Sequence, residues 1–558
     1  MGLSYHEAIA VVSAPGMPFE VREVERDGVR RREFVNALPT LRDYFTSARG
    51  LDSTFLVYED EEWSFEDVMV EADALASALV HRYHVRRGDR VGIAMRNLPE
   101  WVVAFAAITS IGAVSVSLNA WWAEDEIDYA VKDSGLTVLI ADADRLVRSH
   151  AACQRASVSM IGVRLDELEP LAPGVDRWGD VVVRGASLPP VDVDPDDDAT
   201  ILYTSGTTGF PKGAVSTHRA ISQTIMSFAS GSAITDARRG PDEAGTGQSP
   251  CFILVVPLFH VTGCIPVMLS CFTWHFKLVM MHRWDPERAL GLIERHRVTS
   301  FIGVPTQSWD LLEQPRFREF DTSSLSAVGG GGAPAPPRLV ERVEHSFERG
   351  RPSLGYGMTE TNAYGPGNYG DDYVAHPTST GRVPTIVMDA QVRDARGREV
   401  PLGERGEIWL NGPTLFRGYW NKPEATESTL EDGWLRTGDL GRLDAEGFLY
   451  IEDRAKDMII RAGENVYCAE VEAAIYEHPG VYEAAAFGLP HERLGEEVAC
   501  VIRLKDGASL SVEDLHAHLS SRLANFKIPT RVALTDEALP RNPAGKLLKR
   551  SMPQAYFD

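Results

Sequence analysis

Cysteine is scarce. The chain has six in 558 residues (Cys153, Cys251, Cys264, Cys271, Cys468 and Cys500), none in a Cys-x-x-Cys pair or at a zinc-ligand spacing from histidine. This excludes a disulfide scaffold and a structural zinc module, and it points to a reducing, cytoplasmic setting. Positive charge is also short: 56 Lys and Arg stand against 80 Asp and Glu, a formal net charge of -24 with a pI near 5.1. Nucleic acid is thereby excluded as a partner, because phosphate backbones are held by an excess of Lys and Arg. A local basic pocket for a small phosphate ligand stays open. The N-terminal segment MGLSYHEAIAVVSAPGMPFEVREVERDGVRR lacks the basic start and continuous apolar run of a secretory signal. Trp101 to Trp122 and Phe252 to Trp274 carry no Lys, Arg, Asp or Glu, and each reaches the ~20 residues of a membrane span. Gly112 and the alternating VSVSLN break the first, and Pro257, His260, Gly263 and Pro266 break the second. No transmembrane segment is expected.

What remains is ample core-forming material, 44% hydrophobic and 9% aromatic, in a chain well beyond the ~250–300 residues at which single cores split. From Arg90 to Asp144 strand and helix patterns alternate (RVGIAM, PEWVVAFAAITSIG, AVSVSL, EDEIDYAVKDSG, TVLIAD), the mark of parallel strands with crossover helices. Strand signals at ILYTS, FILVV, SFIGV and SAVGGGG continue it. Near Ala390 the pattern changes to short alternating runs broken by Gly and Asp-Gly, an antiparallel β signature. A further change near Lys456 opens an α+β module whose helix SVEDLHAHLSSRL is capped by Ser511. The expected fold is α/β: a large N-terminal domain of doubly wound sheets plus a β-rich subdomain over 1–453, then a small mobile α+β domain over 454–558.

One segment carries chemistry on its face. Tyr203-Thr204-Ser205-Gly206-Thr207-Thr208-Gly209-Phe210-Pro211-Lys212-Gly213 follows a strand and gathers hydroxyls, glycines and a lysine. Glycines let the backbone approach a polyphosphate, hydroxyls and amides donate to it, and the lysine offsets its charge. A P-loop would need G-x-x-x-x-G-K-[ST], whereas Lys212 is followed by Gly213.

At this loop the chain begins to resemble the adenylate-forming (AMP-binding) superfamily of acyl-CoA synthetases, luciferases and peptide-synthetase adenylation domains. The resemblance continues in the family's order through PLFH at 257–260, GGGGAP at 329–334, GYGMTET at 355–361, TGDL at 437–440, DRAKDMIIRAGENVY at 453–467 and NPAGK at 542–546. It implies ATP, Mg²⁺ and coenzyme A as ligands. Thr204, Ser205, Gly206, Thr207, Thr208, Gly209 and Lys212 would hold the β- and γ-phosphates, and Glu360 with the Thr204 hydroxyl would hold Mg²⁺. Tyr356 would stack on adenine beside Gly332, Ala333 and Pro334, with Gly357 and Thr359 adjoining in the same string. Asp439 would accept from the ribose and Arg454 would contact ribose and phosphate. Lys546 would bridge carboxylate and α-phosphate, and His260 would sit by the substrate carboxylate. Lys456 would be the hinge about which the small domain turns to present Gly463 and Glu464 for thiolysis.

The presumed acyl pocket is Val261, Thr262, Gly263, Val304, Trp309, Gly329, Gly330 and Gly331. Peptide-synthetase domains carry an aspartate where Val261 stands, so an amino-acid substrate would leave its ammonium unpaired. The implied activity is an acyl-CoA synthetase of fatty-acid metabolism, acting on a medium- or long-chain acid. An aryl, cyclic or steroid-derived acid is the alternative, and the pocket glycines could instead serve only close strand packing. Coenzyme A is favoured as acceptor by the family-like string Phe526-Lys527-Ile528-Pro529. Loading a carrier protein would have to occur in trans, since no carrier domain follows Asp558. Cys468 replaces the family's usual proline. A non-catalytic nucleotide- or acyl-binding protein is opposed by the presence of both Lys546 and Glu360, and a homodimer is compatible with everything above. Lys546→Ala is expected to abolish acid-dependent pyrophosphate exchange while retaining thioester formation from a supplied acyl-adenylate. Exchange at the parental rate would contradict the role given to Lys546.

Overall fold

The computed structural model describes residues 3–26, 28–166, 170–204, 211–239, 249–333, 335–454, 457–462, 464–542, 545 and 547–557. Two eight-stranded sheets organise the large domain. In the first, Asp198–Tyr203, Val114–Ser117, Arg90–Ala94, Val138–Asp142, Ser159–Val163 and Val175–Arg177 run parallel in that spatial order, edged by the antiparallel Gly213–Thr217 and Gly418–Tyr419. In the second, Arg351–Gly355, Ala327–Gly331, Ser300–Gly303, Cys251–Leu254, Lys277–Met280 and Thr54–Tyr58 run parallel, with Gly367–Tyr369 and Glu61–Ser64 antiparallel at the edges. The strand and helix expectations from Arg90 to Asp142 hold to within a few residues.

The helix Pro99–Ser110 explains the first apolar run. All twelve of its residues are buried, with proline at its first turn. Its side chains join one core with Val91 and Ile93 of the first sheet and Leu254 and Leu278 of the second, so the helix is a layer between sheets. The second run divides into the strand Cys251–Leu254, a π-helical stretch Gly263–Leu269 and the short helix Ser270–Thr273. Among the described residues no helix is long and apolar enough to cross a membrane.

The two sheets are fastened where the parallel strands end. Asn97, directly after the strand Arg90–Ala94, donates its amide to the carbonyls of Val256 (3.1 Å) and Met281 (3.3 Å) and accepts from the amide of Leu258 (2.9 Å). A buried amide so satisfied fixes the cleft between the carboxyl ends of the two sets of strands, the usual ligand position in open α/β sheets.

The β-rich segment forms an antiparallel sheet of Gly381–Arg382, Phe448–Arg454, Trp434–Leu443, Gly406–Asn411 and Asp389–Arg393. The next strand, Ile459–Arg461, belongs to a different sheet with Glu464–Val466, Gly495–Leu504, Val481–His491 and Arg531–Thr535. That sheet carries the helices Cys468–Tyr476 and Val512–Ser520, and Ser511 caps the second by accepting from the amide of Asp514 at 3.0 Å. The whole is an α/β fold with a large N-terminal domain and a smaller C-terminal one.

Candidate active site

A cavity of about 1800 Å³ occupies the cleft at the strand ends, roofed by the antiparallel sheet and the C-terminal domain. At one end Thr204 and Lys212 line the wall, joined by a bond from the Thr204 amide to the Lys212 carbonyl at 2.9 Å. Ser205, Gly206, Thr207, Thr208 and Gly209 lie outside the described residues. The Lys212 ammonium stands 4.1 Å from the centre of the Tyr419 ring, and the Tyr419 hydroxyl donates to Glu360 Oε1 at 2.5 Å. Glu360 is only 6% exposed yet lines the cavity, next to Thr359 in the turn Thr359–Thr361. Burial and the neighbouring Glu360 carboxylate raise the Tyr419 hydroxyl well above its ordinary value, so it remains a donor. Sequence reading missed Tyr419. Its one local signal is an aromatic after glycine, and its partner is 59 positions away.

Where a nucleoside was expected, Tyr356 donates its hydroxyl to Asp439 Oδ2 at 2.6 Å, and Arg454 Nε pairs with Asp439 Oδ1 at 3.1 Å. Asp439 and Arg454 face each other across adjacent strands. Gly332, Gly357 and Arg454 line the cavity. Tyr356, Ala333 and Asp439 do not, and the carboxylate expected to meet a ribose is 4% exposed and already engaged at both oxygens. Pro334 lies outside the described residues.

His260, Val261, Thr262 and Val304 line the adjoining lobe. Partial burial in the cavity wall lowers the His260 imidazole to about 4, so it is neutral near pH 7. Its Nδ1 accepts the Thr262 amide at 3.3 Å, which places the ring proton on Nε2. Gln307 braces this corner, accepting from the Val304 amide at 2.9 Å and donating to the Val255 carbonyl at 2.9 Å.

Three residues expected in the acyl pocket are not on its wall. Trp309 packs with the core on the opposite side of the second sheet, under the Arg342 guanidinium at 4.9 Å. At Gly329 a Cβ would strike the Ser353 carbonyl, and at Gly263 the Pro257 carbonyl, so both serve close backbone packing. Gly330 and Gly331 do line the cavity, and they too abut backbone, the carbonyls of Gly303 and Gly355.

The lobe is long. It touches both Phe252 and Val255, both Ser300 and Gly303, and both Ala327 and Gly330, which spans roughly 10 Å along the strands at ~3.3 Å per residue. The opposite wall includes Thr262, Pro266, Ser270 and Trp274, each a turn beyond the last. Elsewhere on the cavity Arg96, His282 and Arg283 gather beside Trp121, with the Arg96 guanidinium 4.9 Å from the indole. Burial and the nearby Arg145 and Arg283 charges lower Arg96, while burial and the Arg96 and Arg283 charges lower His282. The nearest carboxylate, Asp142, is engaged by Arg145 at 3.2 Å. Cationic charge is therefore concentrated here in an acidic chain.

Two residues expected to serve thiolysis are elsewhere in this arrangement. Glu464 is exposed, Lys527 pairs with Glu470 at 2.6 Å, and neither lines the cavity. Gly463, Lys456 and Lys546 lie outside the described residues, although Gly545 adjoins Val304 at the cavity wall. Cys468 is buried, and its amide donates to Asp453 Oδ2 at 2.6 Å, a bond that proline could not make.

No cluster of three His, Cys, Asp or Glu side chains that could cage a metal occurs among the described residues. The oxygen donors Glu360 and Thr204 suit Mg²⁺, which binds through one or two carboxylates and substrate phosphates and keeps several waters.

The family model "AMP-binding enzyme" matches residues 45–420, and "AMP-binding enzyme C-terminal domain" matches 470–546. A feruloyl-CoA synthase from an Amycolatopsis species is 35% identical over 472 residues, covering 83% of this chain and 88% of that protein. A long-chain-fatty-acid–CoA ligase of Mycobacterium tuberculosis is 35% identical over 473 residues, covering 85% and 89%. The ATP-bound crystal structure of MatB from Rhodopseudomonas palustris superposes with a TM-score of 0.81 at 29% identity, covering 93% of this chain and 98% of that one.

Tyr419→Phe removes only the hydroxyl that orients Glu360. It is expected to raise KM for Mg·ATP about tenfold, as loss of a charge-assisted hydrogen bond of about 1.4 kcal/mol would. An unchanged KM in steady-state kinetics would contradict this positioning.

Proposed function

The chain belongs to the AMP-binding enzyme family and is an ATP-dependent acid–thiol ligase, and on that premise we propose that it converts a long hydrophobic carboxylic acid to its coenzyme A thioester through an acyl-adenylate. The observation that carries this reading is one continuous cavity joining the phosphate-facing group of Lys212, Glu360 and Arg454 to the elongated lobe behind His260. In the first step a carboxylate oxygen attacks the α-phosphorus and pyrophosphate leaves. Lys212 and Arg454 offset the converging negative charge, and Lys546 takes the position between carboxylate and α-phosphate. Bound at Glu360 and Thr204, Mg²⁺ would neutralise part of the triphosphate charge. Neutral His260 sets the acid's orientation without adding a cation, and its Nε2–H donates to the carboxylate. Asp439, off the cavity wall, acts through Arg454, whose guanidinium it holds at the cavity.

In the second step the thiol sulfur attacks the acyl carbon and AMP leaves. Coenzyme A is favoured over a carrier-borne thiol by Arg96, Arg283 and His282 beside Trp121, which suit the phosphates and base of a nucleotide-bearing thiol. The residues of 454–558 act as the mobile module between the steps.

For the acid, the length of the lobe and walls such as Phe228, Phe252, Phe276 and Ile302 favour a medium- or long-chain fatty acid. A ring acid with a distal oxygen is the second reading. It is supported by the hydroxyl-bearing Ser232, Thr235, Ser300 and Ser326 on the cavity wall and by the feruloyl-CoA synthase relative.

A pyrophosphate-release screen over fatty, aromatic and polycyclic acids, with coenzyme A, pantetheine or a phosphopantetheinylated carrier as acceptor, tests the proposal. The expected result is release with a long-chain acid and thioester formation about tenfold or more faster with coenzyme A than with pantetheine. Equal rates with the two thiols would remove the acceptor assignment, and preference for a ring acid would select the second reading.

A further inference from the structure

One network joins the two domains at the cavity and takes no part in the bond changes. Tyr482, at the start of the strand Val481–His491, donates its hydroxyl to Asp310 Oδ1 at 2.5 Å. Asp310 lies on the helix Pro305–Glu313, directly after Val304, and its Oδ2 accepts the Trp284 indole N–H at 2.7 Å. The large domain thus orients the carboxylate, and the C-terminal domain supplies the second donor. Burial and the Asp310 charge raise the Tyr482 hydroxyl, which keeps its proton across the physiological range. The same helix carries Glu313, which Lys505 approaches at 3.6 Å.

The path continues inside the C-terminal domain. Glu483, next to Tyr482 and 4% exposed, pairs with Arg541 and accepts the Leu539 amide at 3.3 Å. The other end of the Arg541 guanidinium donates to the carbonyl of Gly545. Gly545 has a φ of +82°, and a Cβ there would come within 2.9 Å of Val304 Cγ2, so the backbone passes the cavity wall closely at this point. Lys546 is the next residue. Tyr482 and Arg541 are thus two ends of one rigid unit, the first anchored on the helix after Val304 and the second on the peptide that precedes the lysine.

We propose that Tyr482 and Arg541 are positioning residues for the adenylation half-reaction: the Tyr482–Asp310 bond docks the C-terminal domain, and Arg541 holds the backbone before Lys546 in register with that dock. The inference rests on the ligase reading above. Because the phenol and the carboxylate belong to different domains, turning the C-terminal domain away for thiolysis breaks this bond. Its contribution is confined to one of the two steps.

Single-turnover kinetics of the two half-reactions test it, following acid-dependent pyrophosphate exchange and, separately, thioester formation from a supplied acyl-adenylate and coenzyme A. Tyr482→Phe and Asp310→Asn are each expected to slow exchange about tenfold, and the double variant is expected to be no slower than either alone. Arg541→Gln is expected to slow exchange likewise. The thioester step stays at or above the parental rate in all of them, which also shows that the variants are folded. Equal slowing of both half-reactions, additive effects of Tyr482→Phe and Asp310→Asn, or parental exchange in all variants would overturn the proposal. Absence of exchange in the parent protein would overturn the ligase reading and this proposal with it.

Discussion

The Asp439 carboxylate is the tie on which the Arg454 end of the cavity depends. Taking an ionised carboxylate out of water costs several kcal/mol unless it is fully partnered, and here the partners are Tyr356 from the GYGMTET segment and Arg454 from the last strand of the antiparallel sheet. One buried group therefore ties the Tyr356 segment to the strand pair Trp434–Leu443 and Phe448–Arg454, with 83 positions between Tyr356 and Asp439. Arg454 is the last described residue before the connection to the C-terminal domain. The interaction that shapes the site also anchors the segment from which the small domain departs.

A second constraint is the closeness of backbones in the second sheet. The strands Ser300–Gly303, Ala327–Gly331 and Arg351–Gly355 approach so tightly at Gly329, Gly330 and Gly331 that no side chain fits between them. The glycines answer a packing requirement, and a smooth, side-chain-free stretch of wall at Gly330 and Gly331 follows from it. Asn97 fixes the other side of the cleft by fastening the first sheet to the loops of the second. The cleft is thus fixed on its large-domain side, and the C-terminal domain supplies a separate wall through Tyr482, Glu483 and Arg541.

Much of this was legible in the sequence where the signals are local. The alternation from Arg90 to Asp142, the Ser511 cap and the change to antiparallel β structure near Ala390 all depend on residues within a few positions of one another. The family motifs also identified Glu360, His260, Lys212 and Arg454, which the fold brings to one cavity. What escaped depends on distant partners. Tyr419 gains its meaning only from Glu360 beneath it, and Asp310 only from Tyr482, 172 positions later. Trp309 was misplaced because a helix has two sides and the periodicity of Pro305–Glu313 does not say which one faces the cavity. Gly263 and Gly329 were placed in the acyl pocket with close packing as the alternative, and the alternative holds, against carbonyls of residues that no local pattern pairs with them.

The central claim is that the acid is activated by displacement at the α-phosphorus of ATP. It can be followed atom by atom with a hydrophobic acid labelled with ¹⁸O in its carboxyl group, converted to the thioester with unlabelled ATP and coenzyme A. Attack by the carboxylate oxygen leaves that oxygen on phosphorus when the thiol expels AMP. Mass spectrometry is predicted to find one ¹⁸O in AMP and none in pyrophosphate. Label in inorganic phosphate, accompanied by ADP, would contradict the account.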